Sequence, residues 1–360
     1  MEKEFLKKLI SIESYSGNEK EIISYIKDFF DNNKIKSYID PVGNIIAEIG
    51  TGPSCLILSS HVDTISEPLK FREEGNKIYG RGAVDDKGTT AAMILSLLKY
   101  KDENIKKKIQ YIGIIEEETS LKGMKSLIKN KIKADFAIFG EPTNNKIAVA
   151  YKGRLFYEIS LINPEGPMHS AHLNNDKNPI ILTYKVWEQI DVFLKSKYKG
   201  KTPFFTVIPN LTVIKTHNSS NVIPDKCDFS IDIRIPPGIN IEDIKNDIKA
   251  ILDENQKKFS IKIEYKILSE ISGYRIDNNE EIVKISKEAL KLVCKSDSKL
   301  LRKTGTNFMN VFGSALNIPT ISIGPGDPKL EHTNNEYIEI EQFDQAIEIY
   351  EKIIELYLEV

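Results

Sequence analysis

The chain has 360 residues, which is enough for one large domain or two smaller ones with buried cores. Its 41% hydrophobic and 28% charged residues are ordinary for a globular protein, and a net charge of −2 gives no indication of a nucleic-acid or anionic-membrane partner. Residues 1–8 lack the apolar core of a signal peptide, and no run approaches the ~20 apolar residues of a membrane span. The three cysteines, Cys55, Cys227 and Cys294, are odd in number and far apart, which excludes a fully paired disulfide framework and a CxxC metal site, so we expect a cytoplasmic protein.

The first and last parts of the chain alternate strand-like apolar runs with helical patterns. Near the start of the chain, Asn18 and Glu21 predict a capping box at the start of a helix. Strands are predicted at 55–59, 109–115, 135–139 and 318–323, and helices at 89–99, 281–293 and 342–358. This alternation predicts an α/β sheet with helices on both faces.

The middle of the chain has a different order of elements. Between 154 and 270 the pattern reads strand, helix, strand, strand, helix, strand, which is typical of a ferredoxin-like α+β domain. We therefore expect an inserted domain at 154–270, within a three-layer α/β/α domain built from 1–153 and 271–360.

Histidines and carboxylates, the side chains that commonly bind metals, follow the predicted strands, and Asp85 lies where a glycine-rich loop enters a helix. In an open α/β sheet, ligands bind beyond the carboxyl ends of the strands, so these side chains are expected to meet at one edge. Clustered carboxylates repel one another, and divalent cations remove that repulsion. Imidazole and carboxylate ligands suit zinc, cobalt or manganese. The side chains are His61, Asp63, Asp85, Glu117, Glu118, Glu141 and His332.

Each of these signals has an ordinary explanation when it is taken alone. A single histidine such as His61 is more often a hydrogen-bonded surface residue, and a run such as 116–118 is more often a solvated loop. The agreement of five loops favours the metal site. The glycine-rich stretch 80–88 has neither the Walker nor the GxGxxG spacing, so it does not predict a phosphate-binding loop.

The same segments resemble the motifs of the M20 metallopeptidases. This family includes acetylornithine deacetylases, succinyl-diaminopimelate desuccinylases, aminoacylases and carboxypeptidase G-like enzymes. The resemblance implies a zinc-exopeptidase-like fold, an inserted lid and dimerisation domain, and hydrolysis of linear amide bonds. The matching segments are His61-x-Asp63, Gly80-Arg-Gly-x-x-Asp85-x-Lys-Gly88, Glu117-Glu118, Gly140-Glu141-Pro142 and His332.

Carried over by position, the resemblance implies two divalent ions, zinc or cobalt. One ion would be bound by His61, Asp85 and Glu141, and the other by Asp85, Glu118 and His332. Asp63 would hydrogen-bond His61 and set its tautomer.

The resemblance also implies that Glu117 is the general base for a water molecule acidified by the metals. Gly123, five residues after Glu118, supports this alignment of the glutamate pair. A one-residue slip would give the same roles to Glu116 and Glu117.

Further roles are implied for the insert and for the segment near residue 305. His169 would reach the partner subunit's site as an oxyanion donor, which implies a homodimer. Asn221 and Arg234 would bind the substrate carboxylate, although a surface ion pair is the ordinary explanation for Arg234. We also place Gly305 and Gly324 at the substrate site, and we expect His172 and His217 to be ordinary surface histidines.

The segment 303–310 and the Gly-Pro-Gly-Asp at 324–327 resemble the carrier-protein branch of the family. These LysW-lysine and LysW-ornithine hydrolases of lysine and arginine biosynthesis release lysine or ornithine from the C-terminal glutamate side chain of a small acidic amino-group carrier protein. Asn307 and Phe308 stand where many relatives carry an aspartate. Acetylornithine deacetylase, succinyl-diaminopimelate desuccinylase and an M20 dipeptidase or carboxypeptidase are the alternatives, and a non-catalytic protein that binds amino-acid conjugates is a remote one.

That branch implies a basic docking surface for the carrier. Lysines at 195, 197, 199 and 201 are the candidate, and a solvated lysine-rich loop is the commoner origin of such a run.

Overall fold

The computed structural model describes residues 2–171, 176–217, 219–297 and 299–360. Within these residues the helices are α1 (Glu2–Ser11), α2 (Lys20–Asn32), α3 (Lys87–Leu98), α4 (Lys122–Lys129), α5 (Pro179–Lys197), α6 (Ile241–Phe259), α7 (Glu281–Cys294), α8 (Phe308–Leu316) and α9 (Ile340–Glu359). The strands are β1 (Lys36–Ile39), β2 (Ile45–Ile49), β3 (Cys55–His61), β4 (Arg72–Glu74), β5 (Lys77–Tyr79), β6 (Lys108–Ile114), β7 (Phe136–Phe139), β8 (Ala148–Tyr151), β9 (Gly153–Ile162), β10 (Met168–His169), β11 (Ile208–Lys215), β12 (Val222–Ile223), β13 (Lys226–Ile235), β14 (Lys262–Ile271), β15 (Tyr274–Arg275), β16 (Leu301–Lys303), β17 (Thr320–Ser322) and β18 (Tyr337–Glu339).

The chain forms two compact units. The first comprises residues 1–149, 276–302 and 311–360, and the second comprises 150–275 and 303–310. No helix in the described part of the chain is long and apolar enough to cross a membrane.

The first unit is built on a mixed sheet whose strands follow the order β1-β2-β6-β3-β7-β17-β8. β3 pairs in parallel with β6 and β7, and β17 pairs in parallel with β7. Every residue of β3 is buried, which explains its continuous apolar run. The predicted α/β sheet is confirmed. Because the central strands are parallel, their carboxyl ends lie at the same edge, where His61 ends β3.

The main elements of the second unit follow the order β9, α5, β11, β13, α6, β14, and the short strands β10 and β12 lie between them. Its antiparallel sheet runs β11-β13-β9-β14, which is the ferredoxin-like arrangement predicted from the sequence. Alternate residues of β9 are buried, from Leu155 to Leu161, and they join one core with apolar residues of both helices, such as Val186 and Ile248. The period of two in β9 therefore gives this sheet one apolar face.

The start of α2 differs from the prediction. The helix begins at Lys20 with Glu19 at the N-cap, and no side chain caps it, so the predicted Asn18–Glu21 capping box is wrong. The carboxylate of Glu19 is buried and accepts the backbone N–H groups of Gly17 at 2.8 Å and Glu116 at 3.1 Å. This side chain bonds to a distant loop instead of to its own helix.

Candidate metal centre and active site

Asp85 lies between two imidazoles in the first unit. Its Oδ1 is 2.9 Å from Nε2 of His61, and its Oδ2 is 3.2 Å from Nε2 of His332. His61 is the last residue of β3, and Asp85 lies in the glycine-containing turn that leads into α3. His61 and His332, which are far apart in the sequence, therefore present their imidazoles to one carboxylate.

Two groups of donor atoms have the spacing of metal ligands among the described residues. In each group the atoms lie within 4.8 Å of one another: Asp85, Glu118 and His332 form one, and His61, Glu117 and Glu118 form the other. Glu118 Oε1 is 2.9 Å from His332 Nε2. Glu141 follows β7 and is half-buried, but it belongs to neither group. The first group is the same set that the resemblance implied for one ion.

The carboxylates of this cluster stabilise positive charge on the neighbouring imidazoles. Hydrogen bonds to Asp85 and Glu118 raise the pKa of His332 to about 10. Burial opposes the charged form of His61, but the carboxylates of Asp63 and Asp85 outweigh it and raise the pKa of its imidazole well above the usual value. A set of carboxylates and imidazoles that attracts protons in this way also suits divalent cations, so the residues present fit a metal centre.

Glu117 and Glu116 have different surroundings although they are adjacent. Partial burial raises the pKa of the Glu117 carboxyl to about 8, and the nearby Glu118 carboxylate adds to the rise. Glu116 instead accepts hydrogen bonds from Ser120 and Lys122, with a backbone φ of 54°. The turn thus directs Glu117 and Glu118 to the metal cluster and Glu116 away from it.

Asp63 supports the glutamate turn directly. Its Oδ1 accepts the backbone N–H of Glu117 at 2.9 Å, and its Oδ2 accepts that of Glu118 at 3.0 Å and the hydroxyl of Ser16 at 2.6 Å. Nδ1 of His61 is 3.0 Å from the carbonyl oxygen of Asp63 and 3.7 Å from its carboxylate. The backbone of Asp63 is therefore the nearer partner of the imidazole, and its carboxylate positions the turn.

Sequence reasoning missed Ser16 and Glu19. Both lie in the segment between α1 and α2, and both hydrogen-bond to the groups around Glu117. The sequence signal at these positions is a run of polar residues at 16–21. The start of a helix explains such a run equally well, so it did not indicate a role at the site.

The two segments expected to carry His169 and Asn221 pair with each other in the second unit. β10 and β12 form a two-stranded ribbon in which His169 lies opposite Val222. The N–H of Ser170 donates to the carbonyl of Asn221 at 2.9 Å. The side chains of His169 and Asn221 are both exposed.

Arg234 forms an ion pair with Asp232, and an ion pair is the ordinary role that the sequence allowed for this arginine. Its Nε lies 2.8 Å from Asp232 Oδ1, and its Nη1 donates to the hydroxyl of Thr306 at 3.1 Å. Asp232 also accepts a hydrogen bond from Arg154 at 2.7 Å. The carboxylate of Asp232 thus orients two guanidinium groups on neighbouring strands.

Gly305 and Gly324 differ in the space around them. A Cβ on Gly305 would meet no atom within 4 Å, whereas one on Gly324 would lie 2.7 Å from the carbonyl of Glu141 and from Oγ1 of Thr89. The carbonyl of Gly324 also accepts the N–H of Asn145 at 2.8 Å. Gly324 therefore allows close backbone packing beside Glu141.

The other residues singled out from the sequence have ordinary environments. Asn307 accepts the N–H of Met309 at 2.9 Å at the start of α8, as a helix cap does. Lys195 pairs with Asp191 and Lys197 with Asp247, while the lysines at 199 and 201 are exposed. His217 is exposed, and His172 lies outside the described residues.

Comparisons with known proteins identify the family of the chain. The model of peptidase family M20/M25/M40 matches residues 57–356. The chain is 31% identical to the LysW-lysine/LysW-ornithine hydrolase of Sulfurisphaera tokodaii, over 98% of this chain and 94% of the relative. It is 30% identical to the acetylornithine deacetylase of Buchnera aphidicola, over 93% and 92% of the two chains.

Solved structures share the fold over the whole chain. The M20 metallo-carboxypeptidase Sso-CP2 of Sulfolobus solfataricus aligns with a TM-score of 0.81 at 21% identity, covering 100% of this chain and 99% of the other. The Bacillus subtilis protein YXEP, a dinuclear metal-binding M20 peptidase, aligns with a TM-score of 0.76 at 14% identity, covering 99% and 98%.

These matches confirm the predicted family, fold and enzyme class. The family model spans the segments that carry His61, Asp85, Glu118 and His332, which the fold brings together. The chain belongs to peptidase family M20/M25/M40, a family of metal-dependent hydrolases that cleave amide bonds.

Proposed function

We propose that the protein releases lysine or ornithine from the C-terminal glutamate side chain of a small acidic amino-group carrier protein. The observation that carries this proposal is the similarity to a LysW-lysine/LysW-ornithine hydrolase along 98% of the chain. Two further relatives, from Pyrobaculum aerophilum and Pyrococcus furiosus, bear the same name as putative enzymes and are 29% and 28% identical. The Lys-Thr-Gly-Thr segment at 303–306 supports the same branch.

We assign the metal ligands as the resemblance implies. One ion, zinc or cobalt, would be held by His61, Asp85 and Glu141, and the other by Asp85, Glu118 and His332. When bound, such ions acidify water and polarise an amide carbonyl. Metal analysis of the purified protein, with two ions per chain expected, tests this assignment.

Different residues of the chain then transfer the proton and bind the substrate. Glu117 accepts a proton from the attacking water, whose oxygen becomes bonded to the carbonyl carbon. The C–N bond breaks, and Glu117 returns the proton to the departing amine nitrogen. His169 stabilises the oxyanion, and Asn221 and Arg234 bind the carboxylate of the amino acid. Asp232, which already orients the Arg234 guanidinium, presents it in a fixed direction.

We propose that the active enzyme is a homodimer. Ile181, Tyr184 and Val192 expose apolar side chains along one side of α5, with Tyr184 and Val192 more than half exposed. β11 is the edge strand of the same unit's sheet. An exposed apolar stripe and an unpaired strand edge are features that a second copy of the chain would cover.

Mixing two inactive variants tests both the dimer and the role of His169. His169→Ala lacks the oxyanion donor, and Glu117→Gln lacks the base. If His169 acts in the partner's site, mixed dimers contain one complete site and regain activity. A monomer in light scattering, or mixtures as inactive as their components, would refute this arrangement.

The substrate assignment is tested by amino-acid release from metal-loaded protein. The assay compares carrier-linked lysine and ornithine with N-acetylornithine, N-succinyl-diaminopimelate and dipeptides, beside Glu117→Gln. Release from the carrier alone is expected. Turnover of the small acyl substrates instead would overturn the carrier assignment and leave the hydrolase intact, and no turnover at all would favour a binding protein.

Acetylornithine deacetylase is the second candidate. Its support is the 30% identity to the Buchnera aphidicola enzyme over 93% of the chain, which nearly equals the match to the hydrolase. The two activities differ in the size of the acyl group, so the ratio of kcat/KM for N-acetylornithine and carrier-linked ornithine decides between them.

A docking surface for the carrier is proposed at the end of α5. Of the four lysines from 195 to 201, those at 199 and 201 are exposed and have no ion pair assigned among the described residues. Reversing both charges to glutamate should raise KM for the carrier-linked substrate and weaken its salt dependence. Lys257 and Lys258, at the end of α6, offer a matched control pair. The kcat for the carrier-linked substrate should change little in either variant.

We also propose that the protein works in the cytoplasm. Cys55 and Cys227 are buried and, like Cys294, form no disulfide, which suits a reducing compartment. Fractionation of the native host with an antibody to the protein tests this location.

A further inference from the structure

A buried ion pair connects the loops that carry Asp85 and His332. Nη1 of Arg81 donates to Oε2 of Glu336 at 2.7 Å, and both side chains are less than a tenth exposed. Arg81 precedes Asp85 by four residues, and Glu336 follows His332 by four. Removing two opposite charges from water is costly, so a pair buried here needs a reason beyond stability.

Glu336 holds the backbone at Asp85. Its Oε1 accepts the N–H of Val84 at 2.9 Å and that of Asp85 at 3.1 Å. Asp85 is the carboxylate that contacts both imidazoles. A shift of its backbone would therefore move the carboxylate that the two proposed ion sites share.

Arg81 holds the backbone at His332. Its Nη1 also donates to the carbonyl of Thr333 at 3.1 Å, and its Nε donates to the carbonyl of Glu67 at 2.7 Å. His332 has a φ of 59°, a left-handed conformation that residues with a Cβ adopt infrequently.

The position of the His332 imidazole depends on this support more than the position of the His61 imidazole does. The side chain of His332 is 46% exposed, whereas that of His61 is 2% exposed. Packing therefore holds His61 in place, but the position of His332 is set mainly through its backbone.

We propose that Arg81 and Glu336 are positioning residues for the ion held by Asp85, Glu118 and His332. The pair fixes the separation between the Asp85 and His332 loops, so that their donor atoms meet at a spacing a metal ion can use. This inference rests on the proposed two-ion centre and is independent of the substrate. Groups that orient metal ligands typically change metal affinity by about 10- to 100-fold when they are replaced.

Cobalt titrations of the metal-free protein test the proposal, with calorimetry and visible absorption as readouts. The variants are Arg81→Met, Glu336→Gln and the double variant Arg81→Met/Glu336→Gln. Each single variant leaves one buried group without its partner and is expected to fold less stably. The double variant removes both charges and keeps a carbonyl oxygen for the amides of Val84 and Asp85.

The double variant keeps an acceptor for the amides at Asp85 but loses the Arg81 contact beside His332. We therefore expect the ion held with His332 to bind about 10- to 100-fold more weakly and the other cobalt ion to bind as in the wild type. Ile353→Ala, a core change in α9, is the control, because it should lower the unfolding temperature without weakening either ion. Wild-type affinity for both ions in the double variant would overturn the positioning role alone. Equal weakening in the Ile353 control would also overturn it, since general loss of stability would then suffice. A wild-type chain that binds fewer than two ions would overturn both the inference and the two-ion centre.

Discussion

Asp63 accepts the backbone N–H of Glu117 at 2.9 Å with the carboxylate that was expected to face His61. The side chain that follows β3 by two residues therefore positions the glutamate turn, which follows β6. Two adjacent parallel strands end beside each other, so a carboxylate after one can accept the free amides after the other. This contact places the proposed base with respect to the metal ligands.

Asp63→Asn should lower kcat by about 10- to 100-fold. The two oxygens of Asp63 each accept one of the N–H groups of Glu117 and Glu118, so an amide, which replaces one oxygen with an NH₂ donor, leaves one of these N–H groups without its acceptor. Steady-state kinetics with measured metal content checks this expectation. Asp40→Asn is the matched control, because Asp40 also accepts several backbone amides, but in the turn between β1 and β2. An equal loss of kcat in the control would argue against a specific role of Asp63.

Glu117→Gln should reduce kcat by about 10²- to 10⁴-fold, which is the usual contribution of a general acid–base group. Glu116→Gln should have little effect, because Glu116 faces Ser120 and Lys122 instead of the metal cluster. Kinetics of the two variants at equal metal content therefore decides which pair of glutamates is functional. A larger loss in the Glu116 variant would reverse the alignment.

Removal of the metals should abolish turnover and lower the thermal stability of the protein. An ion present at 100 times its dissociation constant stabilises the folded state by about 2.7 kcal/mol. Dialysis against a chelator, followed by differential scanning calorimetry and re-addition of zinc or cobalt, measures both effects. Full activity in chelated protein with no residual metal would contradict the metal mechanism.

Gly324→Ala should destabilise the fold by about 1–3 kcal/mol, since the added methyl group would overlap the Glu141 carbonyl and the Thr89 hydroxyl. Gly305→Ala should be nearly neutral, because the space beside Gly305 is open. Urea denaturation of both variants measures the difference. Equal stability of the two would show that the backbone near Gly324 relaxes.

The stability of the second unit should depend on pH through Lys152. Burial lowers the pKa of its ammonium group to about 8, and its Nζ donates to the carbonyls of Pro203 and Thr206. The unfolded chain therefore binds more protons at this side chain between pH 8 and 10.5, so its contribution to the free energy of unfolding rises with pH across that window.

Lys152→Met removes this titration. The wild type should therefore gain stability relative to the variant as the pH rises from 8 to 10.5. Denaturant unfolding of both proteins across this range checks the sign, and a constant difference would show that the pKa of Lys152 is not lowered.

Local sequence determined the elements and the identity of the chemical groups. The apolar run of β3, the alternation of β9 and the helical spacing of α9 each depend on neighbours within a few residues, so their periods can be recognised without the fold. The carboxyl ends of parallel strands meet at one edge, and this rule predicted that His61 and Glu118 would come together. The family motifs then supplied roles for the residues.

Tertiary structure decided which backbone groups those side chains hold. Glu19 bonds to the turn at Glu116 instead of capping α2, and Glu336 bonds to the loop at Asp85 some 250 positions earlier in the chain. Residues 303–310 join the second unit although they follow α7 of the first. None of these partners is marked by a local period or motif. They follow from the requirement that each buried carboxylate or amide find a hydrogen bond, and only the folded chain determines which group is near enough to provide it.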